Sequence, residues 1–205
     1  SIEGMGKALR EYRQYPTLFT LAALIRGFAN EMPLLLIAML YGEVQAGLFA
    51  LTIRSLSKPM TLLGHAMSEV YYAESSRLLR EEPRRIEQLF LKTAKGLLAV
   101  GLLPSLVAVS FGPALFSTVF GDQWVEAGHY ARALGGMLLV RFVVSPLHST
   151  LNLAMRGDLV LKWDFITLLV VGLSIGIPAW YRMSVLSCVA IYAVASSFLY
   201  IGLFF

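Results

Sequence analysis

Residues 45–72 read QAGLFALTIRSLSKPMTLLGHAMSEVYY, long enough to cross a bilayer as one helix yet carrying four ionisable side chains. At about 100° per residue, Arg54, Lys58, His65 and Glu69 fall at roughly 0°, 40°, 20° and 60°. All four share one narrow face, while Leu48, Phe49, Leu56, Leu63 and Met67 cover much of the remainder. A charge at the centre of a spanning helix costs about 2.5–3.5 kcal/mol on the insertion scale. That cost is tolerable where the face looks into a wet cavity or meets partners, and hard to explain against lipid. The stretch therefore reads as the cationic wall of a transport path.

Composition fixes the broad class around it. Hydrophobic residues make up 57% of the 205-residue chain, charged residues only 15%, and the mean hydropathy is +0.68. Those values lie far from an ordinary soluble domain, and apolar runs of spanning length leave no room for a separate one. The expected fold is an all-α polytopic membrane protein with six transmembrane helices, at 17–40, 45–72, 89–111, 130–151, 163–179 and 184–205. Pro33, Pro59, Pro104 and Pro146 fall inside these runs and are expected to bend them. Between the third and fourth runs, GPALFSTVFGDQWVEAG (112–128) reads as an interfacial helix and turn, too broken to span. The chain begins without Met, as expected of a segment of a longer protein.

Charge placement suggests an orientation. With a cytoplasmic N-terminus, the inner segments hold Lys7, Arg10, Arg13, Arg77, Arg80, Arg84, Arg85, Arg156 and Lys162. The outer turns hold Arg182 alongside Glu43, Asp122 and Glu126. This asymmetry follows the positive-inside rule, and Trp124, Trp163, Trp180, Tyr41, Tyr71 and Tyr181 fall at span ends like an aromatic belt.

The first, second and fourth spans carry charge at depth, so they are expected to face one another or a shared cavity. Arg26, Arg54, Lys58 and Arg141 would together cost about 10–14 kcal/mol against hydrocarbon. Glu31 reads as the one acidic residue at comparable depth, so pairing is not expected to neutralise the set. Surplus positive charge suits an anionic ligand, and guanidinium groups suit phosphate oxygens in particular. Snorkelling, or bonds to carbonyls freed by the prolines, is the plainer alternative for any one of these cations. Asn30, Glu31, His65, Glu69 and His148 are further polar candidates for the cavity or for ion coupling; for His65 and Glu69 an interfacial ion pair is the plainer expectation.

Several classes of function find no support. No His, Cys and acid cluster has metal-ligand spacing, so neither metal nor cofactor is expected. There is no P-loop, dinucleotide fingerprint or nucleophile elbow. The arginines of 74–87 alternate with glutamates, which argues against a nucleic-acid patch. Cys188 stands alone, so no internal disulfide is possible.

The stretch LYGEVQAGLFALTIRSLSKPMTLLGHAMSEVYYAESSRL (40–78) resembles the eighth-helix region of the polysaccharide-biosynthesis flippases, within the multidrug/oligosaccharidyl-lipid/polysaccharide exporter superfamily. The matching residues are Tyr41, Gly42, Ala46, Gly47, Phe49, Leu51, Arg54, Pro59, Leu62, Ala66, Val70 and Tyr71. FGPALFSTVFGDQWVEAGHYARAL (111–134) and RFVVSPLHSTLNLAMRGDLVLKWD (141–164) resemble two further family segments. The resemblance implies a C-terminal six-helix lobe of a two-lobe exporter fold, with the N-terminal lobe absent from this sequence. It implies a flippase, not an enzyme, moving polyprenyl-pyrophosphate-linked oligosaccharide across the bacterial inner membrane by alternating access, with the bilayer, the lipid-linked sugar, the missing lobe and a polysaccharide polymerase as partners. Arg26, Arg54, Lys58 and Arg141 would then hold the pyrophosphate and sugar. A drug/cation antiporter of the same superfamily would favour acidic cavity residues. A membrane glycosyltransferase or ligase would need an acidic pair on a loop, for which only Glu43, Asp122 and Glu126 offer themselves.

Overall fold

Two glycines with positive φ, Gly42 at +92° and Gly121 at +98°, end the first and third of the described helices. Few other residues tolerate that backbone. The computed structural model describes residues 14–147 and 157–202. Six helices fill them: α1 (Gln14–Tyr41), α2 (Glu43–Glu81), α3 (Ile86–Phe120), α4 (Val125–Leu147), α5 (Gly157–Trp180) and α6 (Val185–Gly202). Single 3-10 turns, Pro83–Arg85 and Asp122–Trp124, precede α3 and α4, and the described residues contain no strand.

The helices run up and down. The α1–α2, α3–α4 and α5–α6 connections therefore share one end of the bundle, called the turn end below. The Tyr41 hydroxyl donates to the Met183 carbonyl at 3.0 Å, which ties two of those connections together. α4 is the centre: it packs on α2, α3 and α6, while α5 packs on α1 and α6, and α1 also meets α2. Ala127, Tyr130, Ala131, Leu134, Met137 and Leu138 of α4 are all buried.

Small residues let the helices approach. The buried stripe of α3 is Thr93, Leu97, Gly101, Ser105, Ala108, Gly112 and Phe116, spaced by helical turns. A Cβ at Gly112 would lie 2.4 Å from the Gly128 carbonyl oxygen, so α3 and α4 cross backbone to backbone there. Close crossings on glycine are how membrane helices gain packing where lipid tails offer no hydrophobic drive. Lower down, Phe142 of α4 fits the notch left by Gly101, where a Cβ would meet its ring at 2.7 Å.

The segment read as an interfacial helix, GPALFSTVF, is instead the last part of α3, which runs unbroken to Phe120. The reason is Arg132. Pro113 lacks an N–H, so the Val109 carbonyl four residues back loses its helical donor. Arg132 on α4 supplies two: Nε donates to the Val109 carbonyl at 3.0 Å and Nη2 to the Ser110 carbonyl at 3.1 Å. Arg132→Leu should therefore lower unfolding free energy in detergent by about 2 kcal/mol; equal stability would show that the proline needs no such donor.

Among the described residues, four helical segments are long and apolar enough to cross a membrane: Ala23–Tyr41, Ile86–Phe120, Leu161–Trp180 and Val185–Gly202. The protein is thus a multi-pass membrane protein. The charged helices α2 and α4 do not reach that standard by composition. α2 also runs on through the hydrophilic stretch to Glu81, a length of about 58 Å at 1.5 Å per residue. On that extension Arg77 pairs with Glu74 and Glu81, and its hydrogen bond holds the Glu74 carboxyl below the usual carboxylate range. Because that shift is downward, its contribution is present near neutral pH and fades on acidification.

Candidate functional site

The polar groups at depth are organised around α1. Arg26 donates to Asp164 of α5 through Nε (3.1 Å) and Nη2 (2.8 Å), a side-on bidentate ion pair. One helical turn further along α1, Asn30 accepts a hydrogen bond from Arg141 Nη2 at 3.2 Å. α1 and α5 lie parallel and in steady register, as contacts of Arg26 with Asp164 and Tyr41 with Met183 show. Met32 also packs where Gly172 leaves space. The structure thus brings three of the expected site residues, Arg26, Asn30 and Arg141, to one turn of α1, which side chains of α4 and α5 reach.

Asp164 corrects the charge balance read from sequence. Glu31 is exposed on α1, whereas Asp164 is 5% exposed and neutralises Arg26. The fifth helix, not among the three expected to carry charge at depth, carries the acid. Asp164 sits beside Lys162 and Trp163, which mark an interface when read as sequence. Depth would have found it: Arg26 lies 15 residues before the end of α1 and Asp164 lies 16 before the end of α5.

α2 is buried against the bundle at its two ends, and between them only a half-buried stripe, Leu56, Met60, Gly64 and Ser68, touches it. Near the turn end Ala46, Leu48 and Phe49 are buried, and Thr52, fully buried, donates at 2.8 Å to the Ala127 carbonyl of α4. Tyr130 hydrogen-bonds Gln45 across the same contact. Tyr71, Ser75 and Leu78 are buried again further on. Between these, Arg54, Lys58, His65 and Glu69 are all exposed, together with Leu62, Leu63 and Val70. Counted from Gly42, Arg54 stands as far along its helix as Asn30, and Lys58 as far as Arg26. Their levels therefore match.

Among the described residues, neither Arg54, Lys58, Glu31, His65 nor Glu69 has a side-chain ion pair, so His65 and Glu69 do not form the expected pair. His148 lies outside the described residues. No group of His, Cys, Asp and Glu among the described residues could hold a metal ion. With Arg26 neutralised, three cations remain at this level, Arg54, Lys58 and Arg141. Against hydrocarbon they would cost about 8–10 kcal/mol, still too much for a surface that faces acyl chains. Planar guanidiniums with unused donors are suited to bidentate contact with phosphate oxygens.

A family model described as polysaccharide biosynthesis protein matches residues 2–129, more than half of the chain. The chain is also similar to the teichuronic acid biosynthesis protein TuaB of Bacillus subtilis (strain 168), with 24% identity over 191 residues. That alignment covers 93% of this chain and 39% of the relative, so the chain spans about two-fifths of the length of the curated relative it matches. No solved structure matches the chain.

Proposed function

Since the chain belongs to the polysaccharide biosynthesis protein family, we propose that it is one lobe of a flippase that carries polyprenyl-pyrophosphate-linked oligosaccharide across the bacterial inner membrane. The observation that carries this reading is the level of cations without an ion pair, Arg54, Lys58 and Arg141, on a multi-pass membrane protein whose second helix leaves Arg54 and Lys58 exposed there. All six helices span, α2 and α4 accepting charge because their charged faces look into water rather than lipid. The end opposite the turns, rich in Arg77, Arg80, Arg84, Arg85 and Lys162, is cytoplasmic, as is the N-terminus. A second lobe supplies the facing wall, and the exposed face of α2 lines the vestibule between them.

In this arrangement the protein does no covalent chemistry. The pyrophosphate enters from the cytoplasmic leaflet and is held by Arg54, Lys58 and Arg141, while the sugar occupies the wet cavity and the polyprenyl tail stays in the bilayer. Movement of one lobe against the other about the bound anion then exposes it to the opposite side. Downstream, a polysaccharide polymerase would take up the delivered unit. Arg54 is the residue of choice for a test, because it lies on the exposed face of α2 and inside the stretch that resembles the flippases. Arg54→Ala should reduce export of lipid-linked sugar by at least about tenfold, the worth of one charge-assisted contact. Expression and membrane insertion should be unchanged, since the side chain has no partner among the described residues. Normal export in that variant would remove Arg54 from the site.

A further inference from the structure

The Arg26–Asp164 pair is an odd thing to build into a site for an anion. A free guanidinium would bind the passenger more tightly, and a carboxylate beside it repels negative charge. The geometry explains how both can coexist. Asp164 takes the side-on edge of Arg26, Nε and Nη2, which uses two of the five N–H donors of a guanidinium. The end-on edge, with Nη1 and the second hydrogen of Nη2, is left for another oxyanion. Exposure is divided to match: the Arg26 side chain is 42% exposed and that of Asp164 only 7%. The carboxylate is thus shut behind the arginine, and the arginine alone presents a surface. One turn away Asn30 holds the Arg141 guanidinium, so a second cation borders the same surface.

We propose that Asp164 is the resident counter-ion of this anion site. It keeps Arg26 neutralised in the empty carrier and weakens the hold on a pyrophosphate-type oxyanion bound end-on, so that the passenger can leave. This inference rests on the flippase reading and adds to it a reason for release. A carrier that binds too well does not turn over, because entry and exit share one site. Asp164 does not touch the passenger; it acts through Arg26, and its effect has a sign that a purely structural pair would not produce.

The test is binding of inorganic pyrophosphate by the purified full chain in phosphatidylcholine nanodiscs, at fixed ionic strength. Asp164→Asn keeps the shape and removes the charge, so pyrophosphate should bind about tenfold more tightly. Arg26→Gln with Asp164→Asn, uncharged at both positions, should bind at least about tenfold more weakly than Asp164→Asn alone. Unchanged or weaker binding in a folded Asp164→Asn protein overturns the proposal. Should that variant not fold, the exchange Arg26→Asp with Asp164→Arg decides. It keeps the pair but turns the carboxylate outward, so pyrophosphate should bind at least about tenfold more weakly than to wild type; wild-type binding would show the pair to be structural only. Loss of pyrophosphate binding when phosphatidylglycerol replaces phosphatidylcholine would assign the site to bilayer headgroups and overturn the assignment to the passenger. A protein that behaves as predicted here but moves no lipid-linked sugar contradicts the flippase reading alone. One that moves the sugar without these binding changes contradicts the counter-ion alone.

Discussion

Gly128→Val should lower the unfolding free energy of the protein by more than about 3 kcal/mol, the upper end of ordinary overpacking. A Cβ at Gly128 would stand 2.4 Å from the Pro113 Cα and 2.5 Å from the Gly112 carbonyl oxygen. Both are backbone atoms, so no side-chain rotation relieves the clash, and α3 must move off α4. That separation would strain the Arg132 bonds to Val109 and Ser110 and the Ser105 bond to the Gly135 carbonyl. Even Gly128→Ala should destabilise, although alanine in a helix is worth about 1 kcal/mol over glycine. Gly136→Ala is the matched control. Nothing lies within 4 Å of its added carbon, so it should show the propensity gain alone. Denaturation in detergent micelles should rank Gly136→Ala above wild type and wild type above Gly128→Ala; any other order contradicts the close crossing.

The second large effect is expected at the ion pair. Arg26→Ala removes the partner of a carboxylate that is 7% exposed; with Arg26 itself 42% exposed, water can reach the gap, and the cost is about 1–3 kcal/mol. Replacing both partners, Arg26→Leu with Asp164→Leu, takes away the uncompensated charge as well. The double variant should lie within about 1 kcal/mol of wild type, since apolar replacements of buried pairs are often neutral. The contrast between the variants is what matters, because it separates the cost of an orphaned charge from the worth of the pair. Equal destabilisation by Arg26→Ala and by the double variant would mean that packing, not charge, holds α1 to α5.

How far the sequence discloses this arrangement depends on which surface an element shows. Spacing places Arg54, Lys58, His65 and Glu69 on one face of α2, and all four are exposed, but so are Leu63 and Met67, which it sets on the other faces. Periodicity groups the charges but does not give the width of the contact, which in the middle of α2 is one half-buried stripe through Met60 and Gly64. α4 was harder to read. Hydropathy rewards residues that meet lipid, and α4 instead meets protein on several sides. It is built from Ala127, Gly128, Ala131 and Gly135, whose value lies in being small, and it carries Arg132 to serve a neighbour. Gly112 and Pro113 misled for a related reason. They look like a helix break, but the glycine is a packing notch and the lost hydrogen bond is restored from another helix. Partnership across 138 residues, as between Arg26 and Asp164, leaves no local trace at all. Only equal distance from the turn end would have suggested it.

Passage of an intact anionic lipid past the cations of α2 and α4 is the central proposed event. The direct measurement is the leaflet position of a polyprenyl-pyrophosphate-linked oligosaccharide in vesicles containing the full-length protein, with its covalent structure checked before and after. The sugar should cross to the opposite leaflet unaltered, and crossing should fall at least about tenfold with Arg54→Ala. A sugar that stays in its leaflet, or one recovered with a new glycosidic bond, would contradict the account.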